Sequence, residues 1–194
     1  GVTFNIHHCC NSAGTLELPD FHREMIRPGI IQYGYDASKE VLVTGTKIKP
    51  VMSLRCCITH LKTIYEGDCV GYGRHFTATG PTKIATLPIG YADGYNRALS
   101  SKIDVIVHGV RAHQVGNICM DQCMIDVSHI PDVKVGDEVV LFGEQGSECV
   151  SADEIADTCH TIIHEITCNI NRRVPRIYVQ NGKIVQRLEY LTQS

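Results

Sequence analysis

The 194-residue chain is 43% hydrophobic and 20% charged, which is typical of a soluble globular domain. Its formal net charge of −3 gives it no general attraction to nucleic acid or to anionic membranes. No apolar run approaches the roughly 18 residues of a membrane-spanning helix, so we predict neither a membrane segment nor a signal peptide.

Ten cysteines are the most unusual feature of the composition. Two pairs are adjacent, Cys9-Cys10 and Cys56-Cys57, and neighbouring side chains on a strand point to opposite faces. Neither pair therefore suits one tetrahedral zinc ion. We interpret the cysteines as small buried hydrophobic residues in a reducing cytosol, and we predict no metal site. His7 and His8 beside the first pair leave a metal-binding alternative open.

The first 35 residues predict a strand, a loop, a helix and a second strand. Val2, Phe4 and Ile6 alternate with polar residues, a helix is expected over residues 19–26, and a strand is expected from Ile30. This βαβ order is typical of parallel sheets and (β/α)₈ barrels. Since a lone opening strand needs neighbours, we expect the chain to be the C-terminal part of a longer protein.

From Lys49 onward most segments predict strands, with turn signals every few residues. Strands are expected around residues 52–56, 82–88, 104–115, 123–127 and 137–142. Glu66-Gly67-Asp68 and Val135-Gly136-Asp137 are similar turns that precede strands. The sequence therefore predicts a mainly β chain, with a barrel fragment at residues 1–40 and an all-β domain at residues 41–194.

One helix and a final hairpin complete the predicted elements. Ser151 and Glu154 form a capping box, and the apolar stripe that follows, Ile155 to Ile163, predicts one helix with a buried face. Strands over residues 169–179 and 183–190 are expected to join at Asn181-Gly182. The arginines of this part, Arg172, Arg173 and Arg176, are interpreted from the local pattern as solvated strand charges.

Four stretches contain more polar or glycine residues than packing alone requires. The stretch from His8 to Ser12, together with Arg27-Pro-Gly-Ile30, has the hydroxyl and free amides of a phosphate-binding loop. Val70-Gly-Tyr-Gly73 either lets the backbone approach another group closely or places a tyrosine at a strand bulge. Pro88 to Tyr95 is rich in glycine and tyrosine. In Val115–Val127, a strand-loop-strand hairpin is expected, with Asp121-Gln122 at its tip.

Together these stretches resemble the alanine racemase family of pyridoxal-phosphate enzymes, which have an N-terminal (β/α)₈ barrel and a C-terminal β domain. The resemblance runs from residue 1 to about residue 178. It is carried, in the family's order, by His8-x-x-Asn11-Ser-Ala13, Arg27-Pro-Gly-Ile-x-x-Tyr-Gly34, Val70-Gly-Tyr-Gly73, Leu87-Pro-Ile-Gly-Tyr-Ala-Asp-Gly-Tyr95, Ile118-Cys-Met-Asp-Gln122 and Arg173-Val-Pro-Arg176.

The resemblance implies a role for individual residues. Tyr72 is similar to the catalytic tyrosine, one of two bases on opposite faces of the substrate Cα, which the family supplies to the partner subunit's site. Ser12 and the backbone of Gly29 and Ile30 resemble the phosphate ligands. Arg27 resembles the arginine that faces the pyridine nitrogen of the cofactor.

Further roles follow from the same resemblance. His8 resembles the residue that orients Arg27. Met120 resembles the residue whose amide meets the substrate carboxylate, and Tyr91, with Arg97, resembles entrance-channel residues. Two positions depart from the family: His164 stands where a phosphate-contacting tyrosine is usual, and it is expected to bind the phosphate; Asn117 stands where a channel arginine is common.

The resemblance implies a cytoplasmic, homodimeric, pyridoxal-phosphate-dependent alanine racemase of a bacterium that supplies D-alanine for peptidoglycan. The family's cofactor lysine lies in a barrel segment without a counterpart here, so we expect this chain alone to be inactive. The alternatives are a serine racemase of the vancomycin-resistance type, a non-catalytic dimerisation or binding β domain, and a metal-binding domain that uses cysteine and histidine.

Overall fold

The computed structural model describes residues 2–37 and 47–191. The chain divides into two units, Gly1–Met52 and Ser53–Ser194. The predicted domain boundary, between residues 40 and 41, lies outside the described residues and stays a prediction. No helix in the described residues is both long enough and apolar enough to span a membrane.

The first unit contains one short α-helix, α1 (Ser12–Glu17), and two 3₁₀ turns, Pro19–Phe21 and Ile30–Tyr33. Asn11 begins the helix, because its side-chain oxygen accepts a hydrogen bond from Gly14 N–H at 3.0 Å. Asparagine is among the strongest helix N-caps. Helix α1 therefore begins at Ser12, seven residues before the start of the helix predicted over residues 19–26.

The strands predicted at residues 2–6 and from Ile30, and the helix predicted over residues 19–26, are wrong. A strand needs a neighbour for its backbone groups, and residues 2–6 pair with no described segment of this unit. The segment before Arg27 is not helical but lies beside residues 7–10. Arg27 N–H donates to Cys10 O at 2.9 Å, and the Glu24 carboxylate accepts from His7 N–H at 2.9 Å.

The second unit is a mainly antiparallel β structure with two short helices. In chain order, its described elements are β1 (Leu54–Cys57), β2 (His60–Ile64), β3 (Cys69–Val70), β4 (Phe76–Thr77), β5 (Thr82–Leu87), β6 (Asp104–Val107), β7 (Val110–Val115), β8 (Cys123–Asp126), β9 (Glu138–Gln145), β10 (Glu148–Val150), α2 (Ala152–Thr158), α3 (Ile163–Asn169), β11 (Arg176–Gln180) and β12 (Lys183–Leu188).

Eight of these strands form one sheet in the order β1-β9-β6-β7-β8-β5-β2, with β10 paired to β9. The other four form two small sheets, β3 with β4 and β11 with β12. This arrangement confirms the predicted mainly β fold class. It also brings the end of β7, the start of β8 and the end of β5 to the same edge of the sheet, so that the loops at these strand ends meet.

The apolar pattern of the central strands explains the core. Val105, Ile106 and Val107 of β6 are fully buried, while β8 alternates, with Cys123 and Ile125 buried. Burial of apolar side chains on the middle strands is the main stabilising term for such a sheet. The predicted strands at 82–88, 123–127 and 137–142 are confirmed.

The single strand predicted over residues 104–115 is a hairpin of β6 and β7. His108 and Gly109 both have positive φ, of 53° and 73°, as a type I′ turn requires. Histidine is uncommon at the first turn position, so the composition alone gave a weak turn signal.

The single helix predicted after Ser151 is divided in two. The Ser151 half of the predicted capping box is confirmed, because Ser151 Oγ accepts from Glu154 N–H at 3.0 Å. The reciprocal half is wrong, because the Glu154 carboxylate binds Arg111 Nη1 at 2.7 Å instead. The helix ends in a Schellman motif, in which His160 has a φ of 55° and Thr161 N–H donates to Ala156 O at 2.9 Å. Ile162, expected in the core, is consequently 62% exposed at the start of α3.

The two predicted Glu/Val-Gly-Asp turns share one hydrogen-bond pattern. In each, the aspartate carboxylate accepts a hydrogen bond from the backbone three residues earlier: Tyr65 N–H donates to Asp68, and Lys134 N–H donates to Asp137, both at 2.9 Å. Asp137 also contacts His108 Nε2 at 2.9 Å. The hydrogen bond from Lys134, followed by the nearby His108, lowers the pKa of the Asp137 carboxyl.

We expect Asp137→Asn to lower the free energy of unfolding at pH 7 by about 1 kcal/mol, because it weakens a charge-assisted hydrogen bond. Since the folded-state pKa lies below the unfolded value of about 3.9, the ionised aspartate stabilises the fold at higher pH. The difference between the two proteins should therefore shrink as the pH falls through the folded-state pKa. Urea unfolding at a series of pH values measures it.

The control is Asp132→Asn, because Asp132 is an exposed aspartate in the same connection before β9. This substitution should leave the free energy of unfolding unchanged. A difference for Asp137→Asn that stays constant down to strongly acidic pH would show that ionisation of Asp137 does not stabilise the fold.

Candidate active site

The predicted phosphate ligands of the first unit lie close together. Ser12 opens α1 and is buried, and its hydroxyl oxygen accepts a hydrogen bond from Gly29 N–H at 2.8 Å. Ile30 follows directly and begins a 3₁₀ turn. Gly29 N–H is therefore already bonded, and because the first N–H groups of a helical turn lack acceptors within it, this corner offers the Ser12 hydroxyl and the Ile30 N–H to an anion.

Arg27 is joined to the same corner through the backbone of the adjacent cysteines. Its guanidinium Nη2 donates to Cys9 O at 3.4 Å, and its backbone N–H donates to Cys10 O. Within residues 2–37, His8 forms no hydrogen bond to Arg27. The role of His8 in orienting this guanidinium therefore stays a prediction.

The predicted catalytic tyrosine lies in a tight turn between β3 and β4. Tyr72 is 79% exposed, and Gly71 and Gly73 on either side have φ values of 72° and 80°. Glycine adopts this conformation without strain, which explains why two glycines enclose the tyrosine. The phenol hydroxyl makes no hydrogen bond to any described residue, so it is available to a ligand.

This turn is joined to the loop of residues 116–122, which connects β7 to β8. Asn117 Nδ2 donates to Tyr72 O at 2.8 Å. Gly116 has a φ of 72°, and a Cβ on it would lie 2.8 Å from Val70 O, closer than real Cβ contacts. The close backbone approach predicted for Val70-Gly-Tyr-Gly73 is therefore confirmed, and it is made to the 116–122 loop.

A second loop, residues 88–95, packs backbone to backbone against the 116–122 loop. Tyr91 N–H donates to Cys119 O, and Ala92 N–H donates to Met120 O, both at 3.0 Å. A Cβ on Gly90 would lie only 2.1 Å from Cys119 O. Any other residue at position 90 would therefore force the two loops apart.

These contacts leave several backbone N–H groups of the 116–122 loop without an acceptor among the described residues, and Met120 N–H is one of them. The carbonyl of Met120 accepts a hydrogen bond from Ala92 N–H, and the residue is 53% exposed. Within the described part of the chain, Met120 N–H has no hydrogen-bond acceptor. A free N–H on an exposed loop can receive a carboxylate oxygen, which agrees with the role predicted for Met120.

Arg173 joins both loops from a third segment, between α3 and β11. Its Nε lies 2.7 Å from Asp93 Oδ1, and its Nη2 is bonded to Asp121 Oδ1. Asp93 is buried, and its other oxygen accepts from Gly90 N–H at 2.8 Å. One guanidinium therefore connects the 88–95 loop to the 116–122 loop.

The interpretation of the three late arginines as solvated strand charges is wrong for Arg173 and Arg176, whereas Arg172 is exposed. Besides the ion pairs of Arg173, Arg176 donates to Ile170 O at 2.6 Å, and Arg172 lies over the ring of Tyr190 at 5.6 Å. The prediction failed because a single sequence shows a charged residue but not its distant partner. The carboxylates bound by Arg173 lie at least 52 residues away in the chain.

The remaining predicted residues lie at other exposed positions of the second unit. Tyr91 is 43% exposed in the 88–95 loop, and Arg97 begins the 3₁₀ turn Arg97–Leu99 that follows it. His164 is exposed in the first turn of α3, so its imidazole is accessible. The contact of His164 with a phosphate stays a prediction.

Sequence reasoning did not single out Asp93 as a functional residue. Its only signal was its place within Gly90-Tyr-Ala-Asp-Gly94, a stretch too polar for an ordinary loop. A buried carboxylate that accepts from backbone N–H and a guanidinium has a structural role that composition does not reveal.

The interpretation of the cysteines as buried hydrophobic residues is wrong for half of them. Cys10 and Cys123 are buried, Cys56, Cys119 and Cys159 are half-buried, and the exposed ones are Cys9, Cys57, Cys69, Cys149 and Cys168. Strand residues alternate between faces, which places Cys57 and Cys69 toward solvent. Among the described residues, no three histidine, cysteine, aspartate or glutamate side chains are grouped to hold a metal ion.

Comparison with known proteins identifies the relatives of this chain. Residues 51–178 match the family model described as "Alanine racemase, C-terminal domain", and residues 1–37 match "Alanine racemase, N-terminal domain". The chain is 47% identical to alanine racemase 1 of Clostridium acetobutylicum over 98% of this chain and 49% of the relative. It is 48% identical to the alanine racemase of Clostridium tetani over 98% of this chain and 50% of that relative.

Solved structures agree with this similarity. The alanine racemase of Bacillus anthracis with bound L-Ala-P matches with a TM-score of 0.93 at 38% identity, over 98% of this chain and 49% of that one. The alanine racemase of Clostridium difficile 630 in complex with cycloserine matches with a TM-score of 0.88 at 43% identity, over 95% and 48%. The chain spans about half the length of the curated relatives it matches.

The contact between the Tyr72 turn and the 116–122 loop makes Gly116 intolerant of a side chain. We expect Gly116→Ala to lower the free energy of unfolding by about 2 to 5 kcal/mol, from backbone strain at positive φ plus the clash with Val70 O. Chemical denaturation measures this loss.

Gly182→Ala is the matched control, because Gly182 has nearly the same φ, 74°, and nothing lies within 4 Å of an added Cβ. It should lose only the strain, about 1 to 2 kcal/mol. Equal losses in the two variants would show that the Gly116 contact does not hold the turn.

Proposed function

The chain belongs to the alanine racemase family, and we propose that the protein it is part of interconverts L- and D-alanine with pyridoxal phosphate. One observation carries the proposal. Tyr72 and Met120, whose N–H has no acceptor among the described residues, are both exposed residues on two segments that Asn117 joins directly. A proton-transfer group and a carboxylate-binding group are thus held on one framework.

Tyr72 would exchange a proton with one face of the substrate Cα. Racemisation removes a proton from one face and returns one to the other, so a single base cannot serve both. Tyr72 has the exposure and the fixed backbone that this task needs. The second base, by family resemblance, is the cofactor lysine, which has no counterpart among the residues of this chain.

The first unit fits the cofactor. Ser12 and Gly29 share a 2.8 Å hydrogen bond at the start of two short helical segments, so hydroxyl and amide groups converge where a phosphate would bind. Bound pyridoxal phosphate supplies an electron sink for the charge left when the Cα proton is removed. Arg27 would face the pyridine nitrogen, and because a guanidinium cannot accept a proton, that nitrogen would stay unprotonated.

We propose that the active protein is a cytoplasmic homodimer, in which Tyr72 and Met120 complete the site of the partner subunit. This follows the family resemblance, and it is supported by the exposure of both residues, whose backbone carbonyls alone bond to neighbouring loops. D-alanine from this reaction would supply peptidoglycan synthesis in a bacterium.

A serine racemase is the second candidate, favoured by His164. This exposed histidine stands where the family usually has a phosphate-contacting tyrosine, a position that also departs in a serine racemase linked to vancomycin resistance. Turnover of L-alanine and L-serine by the complete protein separates the two. A higher kcat/KM for serine would replace the alanine assignment.

In the complete protein, with its barrel and cofactor lysine, we expect Tyr72→Phe to lower kcat for racemisation by about 10² to 10⁴-fold, since it removes the proton-transfer group. Tyr65→Phe is the control, because Tyr65 is also an exposed tyrosine, 62% exposed, before β3. Release of the Cα proton to deuterated water should be lost from one enantiomer only. A Tyr72→Phe protein that retains racemisation within twofold would contradict the proposed base.

A further inference from the structure

The cluster of Arg173, Asp93 and Asp121 is more than a surface ion pair. The Asp93 side chain is 9% exposed, against 54% for Asp121, so one end of the cluster is buried and the other reaches solvent. A guanidinium held between two carboxylates in this way has little freedom to rotate. The cluster can therefore hold the exposed 116–122 loop in a fixed position relative to the buried Asp93.

Backbone hydrogen bonds fix the inner end of the cluster. Asn171 N–H donates to Asp93 O at 2.9 Å, and Asn171 Oδ1 accepts from Arg173 N–H at 3.0 Å. Gly94 lies so close to this segment that a Cβ on it would be 2.2 Å from Asn169 O. The segment that carries Arg173 and the loop that carries Asp93 are therefore one fixed body.

The outer end of the cluster acts on the residue beside Met120. Asp121 follows Met120 directly, and Ala92 N–H donates to Met120 O at 3.0 Å, which fixes the peptide between these two residues. The preceding peptide, which presents Met120 N–H, is fixed by the hydrogen bond from Tyr91 N–H to Cys119 O at 3.0 Å, and Arg173 holds Asp121 on its other side. Loss of either support would let this N–H turn away.

We propose that Arg173 is a positioning residue for the carboxylate subsite, which it holds through Asp121 so that Met120 N–H faces the substrate carboxylate. The inference rests on the proposed function. In this role Arg173 acts through Asp121, since its Nε and Nη2 groups are bonded to Asp93 and Asp121. It also offsets one of two carboxylate charges, which would otherwise repel a substrate anion.

The test uses the complete protein loaded with cofactor. Arg173→Gln should raise KM for alanine by about 10 to 100-fold, since small displacements of a binding group have effects of this size. It should change kcat much less, because the carboxylate is bound alike before and during proton transfer. The inhibition constant of propionate, which has the carboxylate but no amino group, should rise by the same factor.

Arg172→Gln is the matched control, because Arg172 is the adjacent arginine and contacts only the Tyr190 ring among its described contacts. It should leave KM and propionate inhibition unchanged. Arg173→Lys should not restore binding, since a lysine cannot bridge two carboxylates with a planar fork.

Asp121→Asn keeps the buried Arg173–Asp93 pair and serves if Arg173→Gln fails to fold. It should raise KM and the propionate constant several-fold. If the unmodified protein racemises alanine and these variants keep KM within twofold, the inference is overturned while the function stands. If the unmodified protein does not racemise alanine, both the function and the inference fail.

Discussion

The second unit depends on the close approach of loop backbones that carry no side chain at the contact. Gly90, Gly94 and Gly116 each face a backbone oxygen at a distance where a Cβ would clash. Such contacts bring peptide groups directly together, so their hydrogen bonds are short-range and directional. Loops from distant parts of the chain are thereby joined through their backbones, in addition to the buried side chains of Ile89, Tyr95 and Ile118.

This form of packing leaves the chemically active groups unused by the fold. Backbone atoms and the Asn117 side chain fasten the Tyr72 turn, and a buried aspartate with one arginine fastens the loops beside it. Tyr72 is consequently exposed at no cost in packing. The residues proposed to act on the substrate are therefore positioned by other groups of the fold, as a preorganised site requires.

Much of the fold was predictable from local sequence, because the signals involved are local. The N-cap at Ser151, the Asn-Gly hairpin and the paired Gly-Asp turns each satisfy their hydrogen bonds within a few residues. Predictions failed where the deciding partner was distant or the turn residue unusual. His160 ends a helix at a position where glycine is the common signal, and residues 2–6 form no strand without a neighbour.

In the candidate site too, the features encoded by local motifs were predicted and those that depend on distant partners were not. The family motifs located Tyr72, Met120 and Ser12, because each lies in a distinctive run of residues. They did not locate the physical link among the motifs, since the charge of Arg173 is compensated by carboxylates that precede it by 52 residues or more. A motif shows which residues a site uses, whereas the geometry shows which of them fix the others. In this chain that distinction separates Tyr72, which is free to act on a ligand, from Arg173, whose charge is already committed to Asp93 and Asp121.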